Sequence, residues 1–315
     1  MSDASLKEKV KAIAEASERA CVLEVSAEKP GNVTPTKQFK DTSYNDFLAG
    51  SAAIKPSVAC AAVAGWRAGA GNIAFDKLGI GSLIEKAVAD VSAAHGGGNT
   101  HLGVALLFIP LSAAAGVCLA ERRSFPALQE SLHRVSAATT AADAVHLYSA
   151  VNLANAGGLP DADLDVRRPE SKERIMREGI TLLDVLRMSS GRDLLAREVC
   201  EDMPVLFDVA YPMLANMTGR LPDASSAVVQ TYLAVLSRYP DTLIAKKAGA
   251  GEAERVSRRA AEVLDAGGVL TDEGKEAVRV FDRELRVDGN TYNPGATADL
   301  IAAAIYVSLL KDVLG

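Results

Sequence analysis

The chain has 315 residues, 49% of them hydrophobic and 23% charged, with a formal net charge of −6. That length can bury a large core, and the composition excludes wholesale disorder. An acidic balance without a Lys/Arg-rich block argues against a nucleic-acid partner, and four cysteines with no C-x-x-C pair exclude a zinc ribbon or a redox motif.

Aromatic residues are only 5%, while alanine is abundant, which favours closely packed helices over β-sandwiches. The scattered Cys21, Cys60, Cys118 and Cys200 suit a reducing compartment. With no signal peptide visible, a cytoplasmic protein is expected.

Residues 5–28 repeat at helical spacing. Leu6, Val10, Ile13, Ser17, Ala20 and Cys21 mark a buried face, and the next step of that stripe is Glu24. A carboxylate on a core-facing stripe is costly unless it is paired, metal-bound or catalytic. A local cap near the helix end is the plainer alternative. Lys29-Pro30-Gly31-Asn32-Val33-Thr34-Pro35 then stops the helix. Residues 44–69 read as a helix bent at Pro56, opened by the capping box Ser43-x-x-Asp46. Asp41 and Asp46 also lie a short reach after Glu24, placed to share a cation with it.

Helices are expected at 78–94, 102–119, 124–139 and 141–154. Before the second of these runs Gly96-Gly97-Gly98-Asn99-Thr100-His101-Leu102-Gly103. Three glycines do not make a helix interior, and Asn99 and Thr100 are good N-caps. A flexible loop feeding a helix N-terminus suits an anion such as phosphate; an ordinary glycine turn fits the same string. The uncharged run 102–120 is nearly long enough to span a membrane. Pro110, Ser112, its glycines and its many alanines make it a buried helix of a soluble protein instead.

Residues 155–170 are expected to form a loop. Asp161-x-Asp163-x-Asp165 does not fit a calcium loop, because Val166 and Lys172 stand where Gly and Glu are needed. Helices resume at 171–188, 192–217, 224–238, 241–248, 252–266 and 272–286, with Asp193 and Arg197 as a surface pair. The last helix opens with Asn293-Pro294-Gly295, a cap followed by proline at the first helical position. Between Asp288 and Lys311 the only charged residue is Asp299, on a helix apolar nearly all round, so Asp299 needs a partner. No period-two strand, P-loop or G-x-G-x-x-G motif is found. The expected fold is all-α, a single large domain of about a dozen helices over residues 1–315.

Four segments, Lys29-Pro30-Gly31-Asn32-Val33, Asn99-Thr100-His101-Leu102-Gly103, Asp241-Thr242-Leu243-Ile244 and Asn293-Pro294-Gly295-Ala296-Thr297-Ala298-Asp299-Leu300, resemble in their order the triphosphoribosyl-dephospho-CoA synthase family. The resemblance implies an all-helical protein in which a hydroxyl of dephospho-CoA attacks C1′ of the ATP ribose and adenine leaves. The chain departs from the family pattern at Leu102, where a lysine is usual, and at Leu243, where an asparagine is usual. Asp46 survives from a longer motif. These departures look like a divergent branch in archaea and methylotrophic bacteria, where a ribitol-type precursor of tetrahydromethanopterin is a second acceptor to weigh.

On this resemblance, Mg²⁺ is expected on Asp41, Asp46 and Asp241, since Mg²⁺ takes oxygen ligands shared with phosphates. Lys29, His101 and Lys247 are expected to donate to phosphate. Glu24 is the expected general base, with Asp46 beside it among the catalytic groups. Asn32, Asn99, Thr100 and Asn293 would orient ribose or base, and Asp299 would orient another group. The expected partners are ATP and a small alcohol, without nucleic acid or membrane, and a homodimer stays open. Two rival readings share these residues: an Mg²⁺-dependent ADP-ribosyl or nucleoside hydrolase, and a non-catalytic nucleotide-binding protein.

Overall fold

Helix-starting chemistry recurs along the chain and sets the boundaries of the elements. The protein is represented by a computed structural model, which describes residues 3–96, 100–154, 164–165, 168–221 and 223–315. All regular elements among these residues are helical, apart from an isolated bridge between Phe39 and Thr42. They are α1 (Asp3–Ser26), α2 (Tyr44–Ala53), α3 (Lys55–Gly69), α4 (Ile80–Ala94), α5 (Leu102–Glu121), α6 (Leu128–Ala137), α7 (Ala141–Leu153) and α8 (Pro169–Glu178). Then come α9 (Leu182–Ser190), α10 (Leu194–Cys200), α11 (Tyr211–Arg220), α12 (Ala224–Arg238), α13 (Thr242–Ala248), α14 (Ala250–Asp265), α15 (Asp272–Leu285) and α16 (Gly295–Leu314). Ser43, Thr140 and Thr181 each close a full capping box with an aspartate three residues on.

Three expected helices are divided. The span 44–69 breaks at Ile54, because Pro56 prefers the first turn of a new helix to the middle of an old one. The span 171–188 breaks at Gly179, whose φ of 67° ends α8. The span 192–217 breaks at Asp202 and Met203, both at positive φ, followed by Pro204 and the π-helical turn Val205–Ala210. At the last helix, Pro294 rather than Asn293 is the N-cap, and no side chain caps it. The residue before α5 is His101, which also makes no side-chain cap.

Helix α5 is the centre of the bundle, wrapped by α3, α4, α6 and α16. Every residue from Val104 to Cys118 is buried, so its apolar run is covered by protein on all sides. Two glycines let α3 and α5 touch backbone to backbone. A Cβ on Gly65 would lie 1.9 Å from the Ala113 carbonyl oxygen, and one on Gly116 would lie 2.0 Å from that of Ala62. Against α16, Phe108 stacks on Tyr306 with ring centroids 4.3 Å apart, and the Tyr306 hydroxyl meets Ser112 Oγ at 2.7 Å. Helix α16 in turn packs on α1. The carboxyl end of α1, the first turns of α5 and α16, and α10 and α13 thereby meet at one place.

Candidate active site

A cleft of about 200 Å³ opens where those ends converge. Helix α1 contributes Cys21 and Glu24, and the following loop contributes Asn32. Thr100, His101, Leu102 and Gly103 enter from the start of α5, and Asp193 and Leu195 from the start of α10. Helix α13 adds Thr242, Leu243 and Lys246, while Asn293 and Asp299 come from the approach and first turns of α16. Residues from all four sequence motifs thus face one cavity.

Glu24 is 5% exposed and Lys29 is wholly buried beside it, with Nζ 3.0 Å from Glu24 Oε1. The Lys29 ammonium also donates to the carbonyls of Glu24 and Ala27. Lys29 therefore serves as the counter-ion of Glu24 and does not line the cleft, so its expected role as a phosphate donor is replaced by this one. Burial pushes the Glu24 carboxyl above its ordinary range, and Lys29 pulls it back. Oε1 has the ammonium as its ion-pair partner and no other polar partner among the described residues. Asn293 Oδ1, also at the cleft, is buried and has no partner among the described residues. Buried acceptors left open in this way are uncommon and mark where a ligand completes the structure.

The loop behind Glu24 is fastened from α12 and α15. Tyr232 Oη donates to the Pro30 carbonyl at 2.9 Å, Gly31 N–H donates to Asp282 Oδ1 at 2.8 Å, and Arg286 donates to the Asn32 carbonyl. Gly31 has φ of 74°, and a Cβ there would lie 2.6 Å from Leu285 Cδ1, so only glycine fits.

Asp241 is wholly buried and serves as an N-cap. Oδ1 accepts from the amides of Leu243 and Ile244, and Oδ2 accepts from Thr297 N–H at 2.7 Å and Thr297 Oγ1 at 2.8 Å. It locks the start of α13 to the start of α16. Asp46 closes the capping box of α2 through Oδ2, and the exposed Asp41 accepts from Asn290 Nδ2 at 3.1 Å. Neither lines the cleft. The expected magnesium set of Asp41, Asp46 and Asp241 is therefore not gathered, and among the described residues no three His, Cys, Asp or Glu side chains form a metal-binding group. Asp241 and Asp46 are instead tied to helix starts, and Asp41 to the Asn290 side chain.

His101 is 2% exposed, and burial pushes its pKa down to about 3, so the ring is neutral. Its Nδ1 shares a 2.7 Å hydrogen bond with Thr100 Oγ1, which also meets His95 Nε2 at 3.0 Å. His101 therefore offers a phosphate no cationic charge. Lys247 points away and donates to the Asn290 carbonyl at 2.8 Å, whereas its neighbour Lys246 lines the cleft. Lys246 Nζ stands 4.0 Å from Asp193 Oδ2. Asp193 caps α10 through Oδ1 and faces the cleft, so the expected surface pair with Arg197 is replaced. Both Lys246 and Asp193 escape sequence reasoning, since nothing local separates them from solvated helix-end charges. Asn99 lies outside the described residues.

The model of the ATP:dephospho-CoA triphosphoribosyl transferase family matches residues 10–315. The chain belongs to this family. A transferase-family relative from Klebsiella pneumoniae, 2-(5''-triphosphoribosyl)-3'-dephosphocoenzyme-A synthase, is 28% identical over 219 residues, covering 70% of this chain and 63% of that protein. A synthase of the same name from Escherichia fergusonii is 31% identical over 100 residues, 32% of each chain. The chain thus matches less than two thirds of the length of these curated relatives. In three dimensions, a crystal structure from Archaeoglobus fulgidus with the provisional name triphosphoribosyl-dephospho-CoA synthase superposes with a TM-score of 0.60. It is 22% identical, and the match covers 84% of this chain and 98% of that one, which establishes a shared all-helical fold.

Proposed function

We propose that this protein transfers a triphosphoribosyl group from ATP to an alcohol, with dephospho-CoA as the acceptor the family name indicates. The observation that carries the reading is one cleft built from the family's motifs, lined both by Asn293, whose Oδ1 is buried without a partner among the described residues, and by Glu24, whose Oε1 has only the Lys29 ammonium beside it. A hydroxyl or an N–H of a bound nucleotide and its acceptor would complete them.

At about 200 Å³ the cleft is smaller than the roughly 300–1,000 Å³ of ordinary ligand pockets. It suits the ribose and its glycosidic bond, with the triphosphate extending outward past Lys246. Mg²⁺ enters this reading with the phosphates, as part of Mg-ATP. Cleavage at C1′ passes through an oxocarbenium-like state, as in glycoside hydrolysis. Glu24, buried against an ammonium, is a carboxylate of raised basicity placed to take the proton of the attacking hydroxyl. Neutral His101 and the amides of Asn32 and Asn293 supply directional hydrogen bonds for ribose hydroxyls.

A ribitol-type acceptor is the second reading. Leu102 and Leu243, two of the departures from the family pattern, both line the cleft. They replace polar contacts at the wall where an acceptor would lie. Incubation of the protein with Mg-ATP and either alcohol tests the proposal by chromatographic detection of free adenine. Acceptor-dependent release is the expected result. Release without acceptor would make the protein a hydrolase, and ATP binding without release in any mixture would make it a non-catalytic binder.

A further inference from the structure

The cleft holds three carboxyl groups, and they are not equivalent. Glu24 has the Lys29 ammonium at 3.0 Å, and Asp193 caps α10 and looks towards Lys246. Asp299 has no hydrogen bond or ion pair among the described residues. Its carboxyl instead rests on the bare Cα of Gly103: a Cβ there would lie 2.0 Å from Asp299 Oδ2 and 2.7 Å from Leu195 Cδ1. The glycine of the Asn-Thr-His-Leu-Gly motif thus makes room for the aspartate of the last motif, at the wall of the cavity.

The charged groups facing Asp299 from the helices packed on it are Glu24 on α1, Asp193 at the start of α10 and Asp241 at the start of α13. From α5 comes only the uncharged ring of His101. Lys246 stands towards Asp193, and Lys29 lies with Glu24. Burial and the three neighbouring acids hold the Asp299 carboxyl well above the ordinary aspartate range. Two carboxyl groups in one cavity, one beside an ammonium and one among acids, divide naturally into base and acid.

We infer that Asp299 is the general acid of the transfer, delivering its proton to a ring nitrogen of adenine as the glycosidic bond breaks. This rests on the transferase reading above. In the step, the acceptor oxygen forms its bond to C1′ while the C1′–N9 bond breaks and its electron pair passes to the purine. Asp299 gives a proton to the purine, Glu24 receives the hydroxyl proton, and exchange with solvent after product release restores both groups. Adenine leaves neutral, and no oxidant or reductant is needed.

The test compares wild type and Asp299→Asn on ATP and on N7-methyl-ATP, whose purine already carries positive charge and leaves without a further proton. On ATP the variant should lose roughly 100- to 10,000-fold in kcat. On N7-methyl-ATP it should come within about tenfold of wild type, the residue of a general-acid loss once its proton is not needed. In wild type alone, kcat with ATP should fall on the alkaline side, and that fall should vanish with the methylated substrate. This second measurement does not depend on whether the variant folds. Equal impairment of a folded variant on both substrates, or an alkaline limb that persists with N7-methyl-ATP, would overturn the assignment. Wild-type protein that releases no adenine with any acceptor would remove the transferase reading itself, which separates the two failures.

Discussion

Glu24 and Lys29 sit five positions apart across the end of α1 and bury each other's charge. A buried pair is worth little against an apolar alternative, but losing one member leaves the other uncompensated. Lys29→Met is therefore expected to lower stability by about 3–5 kcal/mol, read from the urea midpoint. Glu24→Gln removes the base while keeping the shape. It should cut turnover roughly 100- to 10,000-fold while calorimetry still detects ATP binding. Glu24 and Asp299 were legible in the sequence because a carboxylate on an apolar stripe is expensive wherever it occurs. For Asp46 and Asp241 the sequence leaves a helix-start role and a metal-ligand role both open, because the two use the same residue type, and only the partner of each oxygen tells them apart. Lys246 and Asp193 were not legible at all. Their meeting depends on α10 and α13 lying side by side, where Thr242 Oγ1 accepts from the Leu194 amide at 3.2 Å.

At the scale of elements, the α3–α5 crossing decides where the start of α5 lies, and so where Thr100, His101 and Gly103 are delivered. Its closeness rests on Gly65 and Gly116, where an added methyl would meet a carbonyl oxygen of the facing helix. Gly65→Ala should destabilise the protein by about 1–3 kcal/mol or more, the usual cost of overpacking, measurable as a fall in urea midpoint. The gain in helix propensity, about 1 kcal/mol, does not offset it. Most helices could be read from apolar periodicity and caps. The breaks at Gly179 and at Asp202–Met203 could not, since apolar spacing continues across them. The second break is held by Glu198, which accepts from the amides of Val205 and Leu206 at 3.0 and 2.8 Å after two left-handed residues.

For the whole molecule, the buried Glu198 and His101 link folding to pH in opposite senses. Burial lifts the Glu198 pKa to about 7 from an ordinary 4.5, so the folded protein holds that proton more tightly than the unfolded chain does. Its stabilising share is full below pH 4.5 and is lost as pH rises to 7, a span of about 3 kcal/mol. His101, pushed from 6.5 to about 3, contributes above pH 6.5, and that share is lost as pH falls towards 3. Over the shared range the two slopes oppose. Glu198→Gln removes one of them, so its stability relative to wild type should improve by about 3 kcal/mol from pH 4.5 to pH 7.5 in urea titrations. A relative stability that is flat with pH would show that Glu198 does not titrate in this range. The all-helical architecture was readable from composition and spacing together. The convergence of four distant motifs was readable only as an ordered set of motifs, because the packing that unites them leaves no local trace.

Helix α15 supplies no side chain to the cleft, yet Asp282 and the adjoining Arg286 anchor the loop that carries Lys29 and Asn32. Chemistry and anchorage are thus assigned to different stretches of chain, about 250 positions apart in sequence order. A lineage could then adjust how the cavity greets a new alcohol by drift in a helix that never meets it, sparing the reactive groups themselves.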